Sequence, residues 1–212
     1  METKELALKE QTIFNHFGNK IRTDDREINI IARFDEPLIV ILGNVLSDNE
    51  CDVLIQLSKD RLQRSRIGDS REVHELRTSS SMFIEDEQHE VITKIEKRIS
   101  QIMNIPVEHG EGIQVLNYKV GQEFKAHLDY FSAAENPRIS TLVMYLSDVE
   151  QGGETYFPKL NLSVSPQKGM AVYFEYFYNN EMLNESTFHG GAPVIVGDKW
   201  AATQWMRRKA VK

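Results

Sequence analysis

His127 and Asp129, in the run His127-Leu128-Asp129, and His189, far downstream, are residue types with a specific joint use. Two imidazoles and one carboxylate on one face of a ferrous ion leave its other positions open for an organic co-substrate and dioxygen. The spacing supports the geometry. On a β-strand, residues i and i+2 point to the same face, so His127 and Asp129 grip one ion from one strand end. His189 must then come from a second strand, remote in sequence and adjacent in space. Alone, His-x-Asp arises easily by accident in a chain with 6 histidines, so its surroundings carry the weight.

Lys199, in Gly197-Asp198-Lys199-Trp200, supplies that context. 2-Oxoglutarate would chelate the iron through its 1-carboxylate and 2-oxo oxygens and send its far carboxylate into protein. A buried carboxylate needs a cation there. Lys199 opens an alternating strand on which Lys199, Ala201, Thr203 and Trp205 share one face. The competing reading is a surface lysine with a snorkelling stem; the triad favours the co-substrate role. Tyr118 ends an alternating strand shortly before His127 and offers a phenol to the co-substrate, or serves as an ordinary core aromatic. Thr155 faces the pocket or is simply a β-branched strand residue. Arg138 lies at the pocket mouth, holding a substrate carbonyl, or is a solvated arginine. His16, His74, His89 and His109 lack ligand spacing and read as non-ligands.

The elements that must position these residues are short. From Gly110 onward the expected strands are Gly112–Tyr118, Glu123–Leu128, Arg138–Leu146, Glu154–Phe157, Met170–Phe174, Ala192–Val194 and Lys199–Met206. Turn signals separate them, among them Gly121, Asn136-Pro137, Gly152-Gly153, Gly190-Gly191 and Gly197-Asp198. Such spacing predicts a sandwich or small barrel. The polar loop Phe131 to Asn136 reads as a mobile lid. Upstream, residues 1–20 read as a polar helix with Leu6, Leu8, Ile13, Phe14 and Phe17 as apolar positions, a candidate subunit contact. Strands are expected at Glu27–Ile31, Leu38–Leu42 and Arg77–Ile84. Ser47-Asp48-Asn49-Glu50 is a capping box ahead of a helix from Cys51 to Lys59. Gln88–Met103 is an amphipathic helix with Val91, Ile92, Ile95, Ile99, Ile102 and Met103 on one face. The expected organisation is a support region over 1–110 and a catalytic core over 111–212, in one folded unit.

Composition narrows the function classes. The 212 residues carry a net charge of −7 and a pI near 5.4, which argues against a nucleic-acid surface. No run of 18 apolar residues suggests a membrane span. The single Cys51 excludes an internal disulfide and fits a reducing, cytoplasmic setting.

From about Asn117 to Met206 the chain resembles the catalytic domain of 2-oxoglutarate-dependent prolyl 4-hydroxylases of the collagen type. The stretches that carry the likeness are Arg77-Thr78-Ser79-Ser80, Leu116-Asn117-Tyr118, Phe124 through Asp129, Arg138 through Val149, Gly152 through Pro158, His189 through Val194, and Gly197 through Trp200. The resemblance implies a mainly β fold with flanking helices: a double-stranded β-helix, or jelly roll, with N-terminal α-helices. It implies Fe(II) on His127, Asp129 and His189. It implies 2-oxoglutarate paired with Lys199, helped by Tyr118 and Thr155, with Thr203 and Trp205 lining the pocket. Arg138 would contact a proline-containing peptide, and ascorbate would serve as reductant. The implied reaction consumes O2, hydroxylates C4 of proline to hydroxyproline, and releases succinate and CO2. A free-standing form is expected, for which collagen itself is not the expected natural substrate, and a two-fold homodimer is expected from the N-terminal segment. Two readings compete. One is a same-fold oxygenase for a free amino acid or small metabolite, with a closed pocket. The other is a non-catalytic jelly-roll binding module whose metal is structural or absent.

Overall fold

The computed structural model describes residues 12–67, 72–84, 89–130, 135–177 and 182–211. Thirteen strands build the two sheets that matter here. In chain order they are β1 (Lys20–Arg22), β2 (Glu27–Asp35), β3 (Leu38–Gly43), β4 (Gln63–Arg64), β5 (Ser80–Phe83), β6 (Gly110–Tyr118) and β7 (Phe124–His127). There follow β8 (Arg138–Tyr145), β9 (Thr155–Phe157), β10 (Leu162–Val164), β11 (Ala171–Glu175), β12 (His189–Gly191) and β13 (Lys199–Arg207). Among the described residues the larger sheet has nine strands in the order β1-β2-β3-β11-β8-β13-β6-β5-β4, and the smaller has four, β10-β9-β12-β7. Every pairing is antiparallel. The mainly β jelly-roll class with flanking helices is the observed one. Strands from before residue 110 extend the larger sheet at both edges.

Side-chain alternation divides the large sheet into two faces. Ile113 and Val115 on β6, Leu142 and Met144 on β8, Ala171 and Tyr173 on β11, and Ala202 and Met206 on β13 pack into the helix-side core. That core also holds Cys51 and Leu54 of α1 (Asp48–Ser58) and Ile92, Ile95, Ile99, Ile102 and Met103 of α2 (Glu90–Met103). The opposite face sends Ile39, Tyr145, Val172 and Phe174 against Phe157 and Val164 of the small sheet. Residues such as Leu116, Thr203 and Lys199 share that face. The site therefore lies between the two sheets, and the helices stiffen the larger one from behind.

Both helices obey their sequence signals. The Ser47 hydroxyl accepts from the Glu50 N–H at 3.3 Å, and the Glu50 carboxylate accepts from the Ser47 N–H at 2.8 Å, completing the expected capping box. α2 buries the predicted face and, unexpectedly, Arg98. That guanidinium is satisfied by Asp25, Glu50 and the Val45 carbonyl, as a buried cation requires.

One expectation is corrected. Residues 12–19 are not helical; they run extended and irregular into β1. Phe14 is buried against Tyr173, with ring centroids 5.2 Å apart, and the N–H groups of Ile13 and Phe14 donate to the Glu175 carboxylate. A helix would have turned those amides toward its own carbonyls; a buried carboxylate on β11 claims them instead. Leu6 and Leu8, and residues 131–134 of the expected lid, lie outside the described residues. No helix among the described residues is long and apolar enough to cross a membrane.

Candidate metal centre and co-substrate pocket

The strand β7 ends at His127, and Asp129 stands two residues beyond it in a bend. β12 begins at His189, which is the direct cross-strand partner of His127. Close approach of these strands needs the glycine that follows: a Cβ at Gly190 would lie 2.8 Å from the Phe124 carbonyl oxygen and 2.7 Å from the Tyr156 ring. The predicted triad thus converges. Its donor atoms all lie within 4.8 Å of one another, and among the described residues it is the one His/Cys/Asp/Glu group so arranged.

Hydrogen bonding sets which nitrogens face inward. His127 Nδ1 lies 2.9 Å from the Lys125 carbonyl, and His189 Nδ1 lies 2.9 Å from the Thr187 carbonyl. A carbonyl only accepts, so each Nδ1 carries the proton and each Nε2 presents a lone pair. Those Nε2 atoms stand 3.3 Å and 3.7 Å from the Asp129 carboxylate oxygens. Lone pairs facing a carboxylate with no proton between them call for a cation, and two imidazoles with one carboxylate suit Fe(II). Burial pulls His189 down to about 4, against the nearby Asp129, so its ring is neutral as a ligand must be. Asp129 is held well below the usual carboxyl range: burial acts upward, and the opposing pull comes from any proton carried by His189 or His127, a role a bound cation would take over, and from Arg138.

The triad opens onto a cavity lined also by Tyr118, Thr155, Lys199, Thr203 and Trp205. All five were expected there. Lys199 is buried, with its Nζ 5.3 Å and 5.8 Å from the centroids of the Tyr118 and Tyr145 rings, and no carboxylate of the described residues forms an ion pair with it. Burial lowers its pKa to about 8. Tyr145 donates to Thr155 Oγ1 at 2.8 Å, which turns the threonine's own proton toward another acceptor.

Arg138 is not among the cavity-lining residues. Its guanidinium lies 4.0 Å over the Trp205 ring, and its Nε and Nη2 donate to Glu111 at 2.6 Å and 2.7 Å. Arg207 donates to the same carboxylate at 2.8 Å. Arg77, to which sequence reasoning gave no role, does line the cavity. It stacks on Phe124 at 4.8 Å, and Phe124 stacks on His127 at 3.6 Å. Arg77 donates to Gln114, yet among the described residues its buried Nε has no partner, and neither does the buried Trp205 Nε1. Buried donors of that kind need an acceptor. Nothing local in Arg77-Thr78-Ser79-Ser80 reveals this placement; a β-bridge between Arg77 and Phe124 creates it.

Comparison with known proteins agrees with this geometry. Residues 113–207 match the family model of the 2OG-Fe(II) oxygenase superfamily. Probable prolyl 4-hydroxylase 10 of Arabidopsis thaliana is 39% identical, covering 90% of this chain and 75% of that protein. Prolyl 4-hydroxylase 5 of the same plant is 38% identical, covering 89% and 74%. Among solved structures, the viral collagen prolyl hydroxylase vCPH of Paramecium Bursaria Chlorella virus-1, in its 2OG complex, superposes with a TM-score of 0.66 at 33% identity, covering 80% of this chain and 95% of that one. A Pseudomonas putida prolyl-4-hydroxylase shares the fold, with a TM-score of 0.58 at 20% identity, covering 80% and 92%.

Proposed function

Because this chain belongs to the prolyl 4-hydroxylase family of 2-oxoglutarate and Fe(II) dependent oxygenases, we propose that it hydroxylates proline within an extended peptide laid beside the His127–Asp129–His189 centre. The enzyme is a 2-oxoglutarate-dependent prolyl 4-hydroxylase whose iron site is that triad. Bound iron and 2-oxoglutarate supply the oxidising power: one oxygen atom of O2 ends in succinate, the other in the C4 hydroxyl, and CO2 leaves.

The observation that carries the pocket assignment is Lys199, a buried cation that forms no ion pair among the described residues and lines the same cavity as the triad. We assign it to the distal carboxylate of 2-oxoglutarate. Tyr118 and the Thr155 hydroxyl bind the same co-substrate, and Thr203 and Trp205 wall the pocket. The protein's part is to hold, orient and desolvate. Aromatic rings around Lys199 exclude water, which strengthens its pull on an anion. The unpartnered donors of Arg77 and Trp205 suit acceptors brought in by co-substrate or peptide. Arg138, stacked on Trp205, is assigned to peptide carbonyls at the rim. A peptide rich in proline arrives preformed as polyproline II and loses little entropy on docking.

Three finer assignments complete the reading. A homodimer is supported by exposed Phe17, Ile31 and Phe34 on β2 and the segment beside it; a mass of 24.5 kDa by light scattering at micromolar concentration would overturn it. A cytoplasmic location is supported by the lone, buried Cys51, which leaves no disulfide to form within the chain. Ascorbate is assigned as reductant. The test of the whole reading follows succinate release and the gain of one oxygen atom by mass spectrometry, comparing proline-rich peptides with free proline. Turnover of peptide alone is expected. Efficient hydroxylation of free proline with none of any peptide would replace this reading with a small-metabolite oxygenase.

A further inference from the structure

The Asp129 carboxylate poses a choice that distance does not make. Its Oδ1 faces His127 Nε2 at 3.3 Å and its Oδ2 faces His189 Nε2 at 3.7 Å. Either oxygen, or both, is near enough to the centre of the triad to bind a metal. The number of oxygens used matters. If both bind, two imidazoles and a chelating carboxylate fill four of six positions. 2-Oxoglutarate then takes the last two and none remains for dioxygen. If one binds, a position stays open.

Two buried hydroxyls bear on that choice. Thr141 Oγ1 donates to Asp129 Oδ2 at 2.8 Å, and Tyr176 Oη donates to the same oxygen at 2.9 Å. Both residues are almost fully buried. They come from neighbouring strands: Thr141 from β8, and Tyr176 from the residue after β11, where its N–H is fixed to the Ile139 carbonyl at 3.1 Å. A carboxylate has about four lone-pair sites over its two oxygens, so two donors occupy the share of Oδ2. Among the described residues the polar group facing Oδ1 is His127 Nε2, at 3.3 Å, and with the Nδ1 proton held by the Lys125 carbonyl that nitrogen presents a lone pair to a metal. We infer that Thr141 and Tyr176 are positioning residues that commit Oδ2 to the protein and leave Oδ1 as the single metal-binding oxygen, thereby keeping the dioxygen position open. This rests on the iron assignment of the triad and is independent of the substrate reading.

The test uses the purified full chain with Co(II) or Fe(II) alone, before any peptide is added. The variants are Thr141→Val, Tyr176→Phe and the pair, with Thr141→Ser as the version that keeps the hydroxyl. Infrared difference spectra on metal addition, with aspartate carboxyls labelled with carbon-13, report the splitting between the asymmetric and symmetric stretches. That splitting is wide for one-oxygen ligation and narrow for chelation. The wild type and Thr141→Ser should show the wide splitting, and the double variant the narrow one, with metal affinity lowered about 10–100-fold. With 2-oxoglutarate added, the double variant should still form the visible absorption band of the chelate, while its decay on exposure to oxygen slows at least tenfold. If the double variant does not fold, Tyr176→Phe alone, which keeps the ring, decides by the same spectrum. A narrow splitting in the wild type, or a wide splitting retained when the hydroxyls are gone, overturns the inference. A failure to hydroxylate peptide leaves it untouched, since no readout uses peptide.

Discussion

His127 and His189 are direct cross-strand partners in the antiparallel pair β7–β12, with ring centroids 4.6 Å apart. That one register contact joins two distant segments of chain into a metal site. Each ring is pinned by a backbone carbonyl from two residues earlier, Lys125 for one and Thr187 for the other. The ligand geometry is therefore a property of the backbone pairing more than of side-chain packing.

It follows that His127→Ala, Asp129→Ala and His189→Ala each fold and each lose the metal. Elemental analysis after dialysis against Fe(II) or Co(II) should fall from one equivalent to background, and turnover should vanish with it. Retention of a full equivalent by any of the three would remove that residue from the ligand set.

Lys199 yields a prediction of opposite sign for stability and activity. Burial lowers its folded pKa to about 8, from an ordinary value of 10.5. Between those values the unfolded chain binds more protons than the folded one, so stability rises with pH from about 8 to 10.5. Below pH 8 the buried charge costs the free protein about 3 kcal/mol. Lys199→Met should therefore raise the midpoint of thermal unfolding at pH 7 while raising the 2-oxoglutarate requirement at least a hundredfold. For the wild type, 2-oxoglutarate affinity should weaken above about pH 8 as the ammonium is lost. An unchanged 2-oxoglutarate requirement in the variant would place the co-substrate elsewhere.

Much of this site could be read in the sequence because it rests on period-two alternation. Lys199, Ala201, Thr203 and Trp205 share a face in the sequence pattern and do so in β13, where all four line the cavity. The parts that escaped were set by long-range contact. Thr141 looks like any β-branched strand residue until Asp129 bends back over it. Arg77 is followed by small polar residues, and only its bridge to Phe124 carries it to the cavity of the triad. Residues 12–17 have plausible helical spacing, yet Glu175, remote in sequence, captures the amides of Ile13 and Phe14. Asp129 lies past the strand rather than on it, so the i, i+2 argument reached the right pair through a slightly different backbone.

Arg77 is a buried arginine whose remaining donors point to a visiting acceptor. Arg77→Leu should raise the KM for peptide about tenfold or more, with kcat and the 2-oxoglutarate requirement changing less. Arg77→Lys should recover little, since a point charge cannot reproduce the planar stack on Phe124 or the bond to Gln114. Steady-state kinetics with each substrate varied separately check this; equal losses for both substrates would mean that Arg77 only supports the His127 side of the site.

Glu111 holds two arginines that would otherwise repel each other, Arg138 and Arg207. Its carboxylate holds the Arg138 guanidinium 4.0 Å over the Trp205 ring, and Trp205 forms one wall of the pocket. Glu111→Gln leaves like charges side by side and breaks bonds to charged donors, at a cost of about 2–3 kcal/mol in stability. Arg138→Ala removes the stack as well as the ion pair. The two variants should separate the roles of this cluster. If Arg138 serves peptide carbonyls directly, Arg138→Ala loses peptide turnover far more than Glu111→Gln does, at similar 2-oxoglutarate affinity. If Arg138 acts only by orienting Trp205, both variants lose peptide turnover equally, and the fluorescence of Trp205 shifts in both. The first pattern is the expected one. The second would move Arg138 out of the peptide-binding set and leave Arg77 as the cationic contact for the peptide.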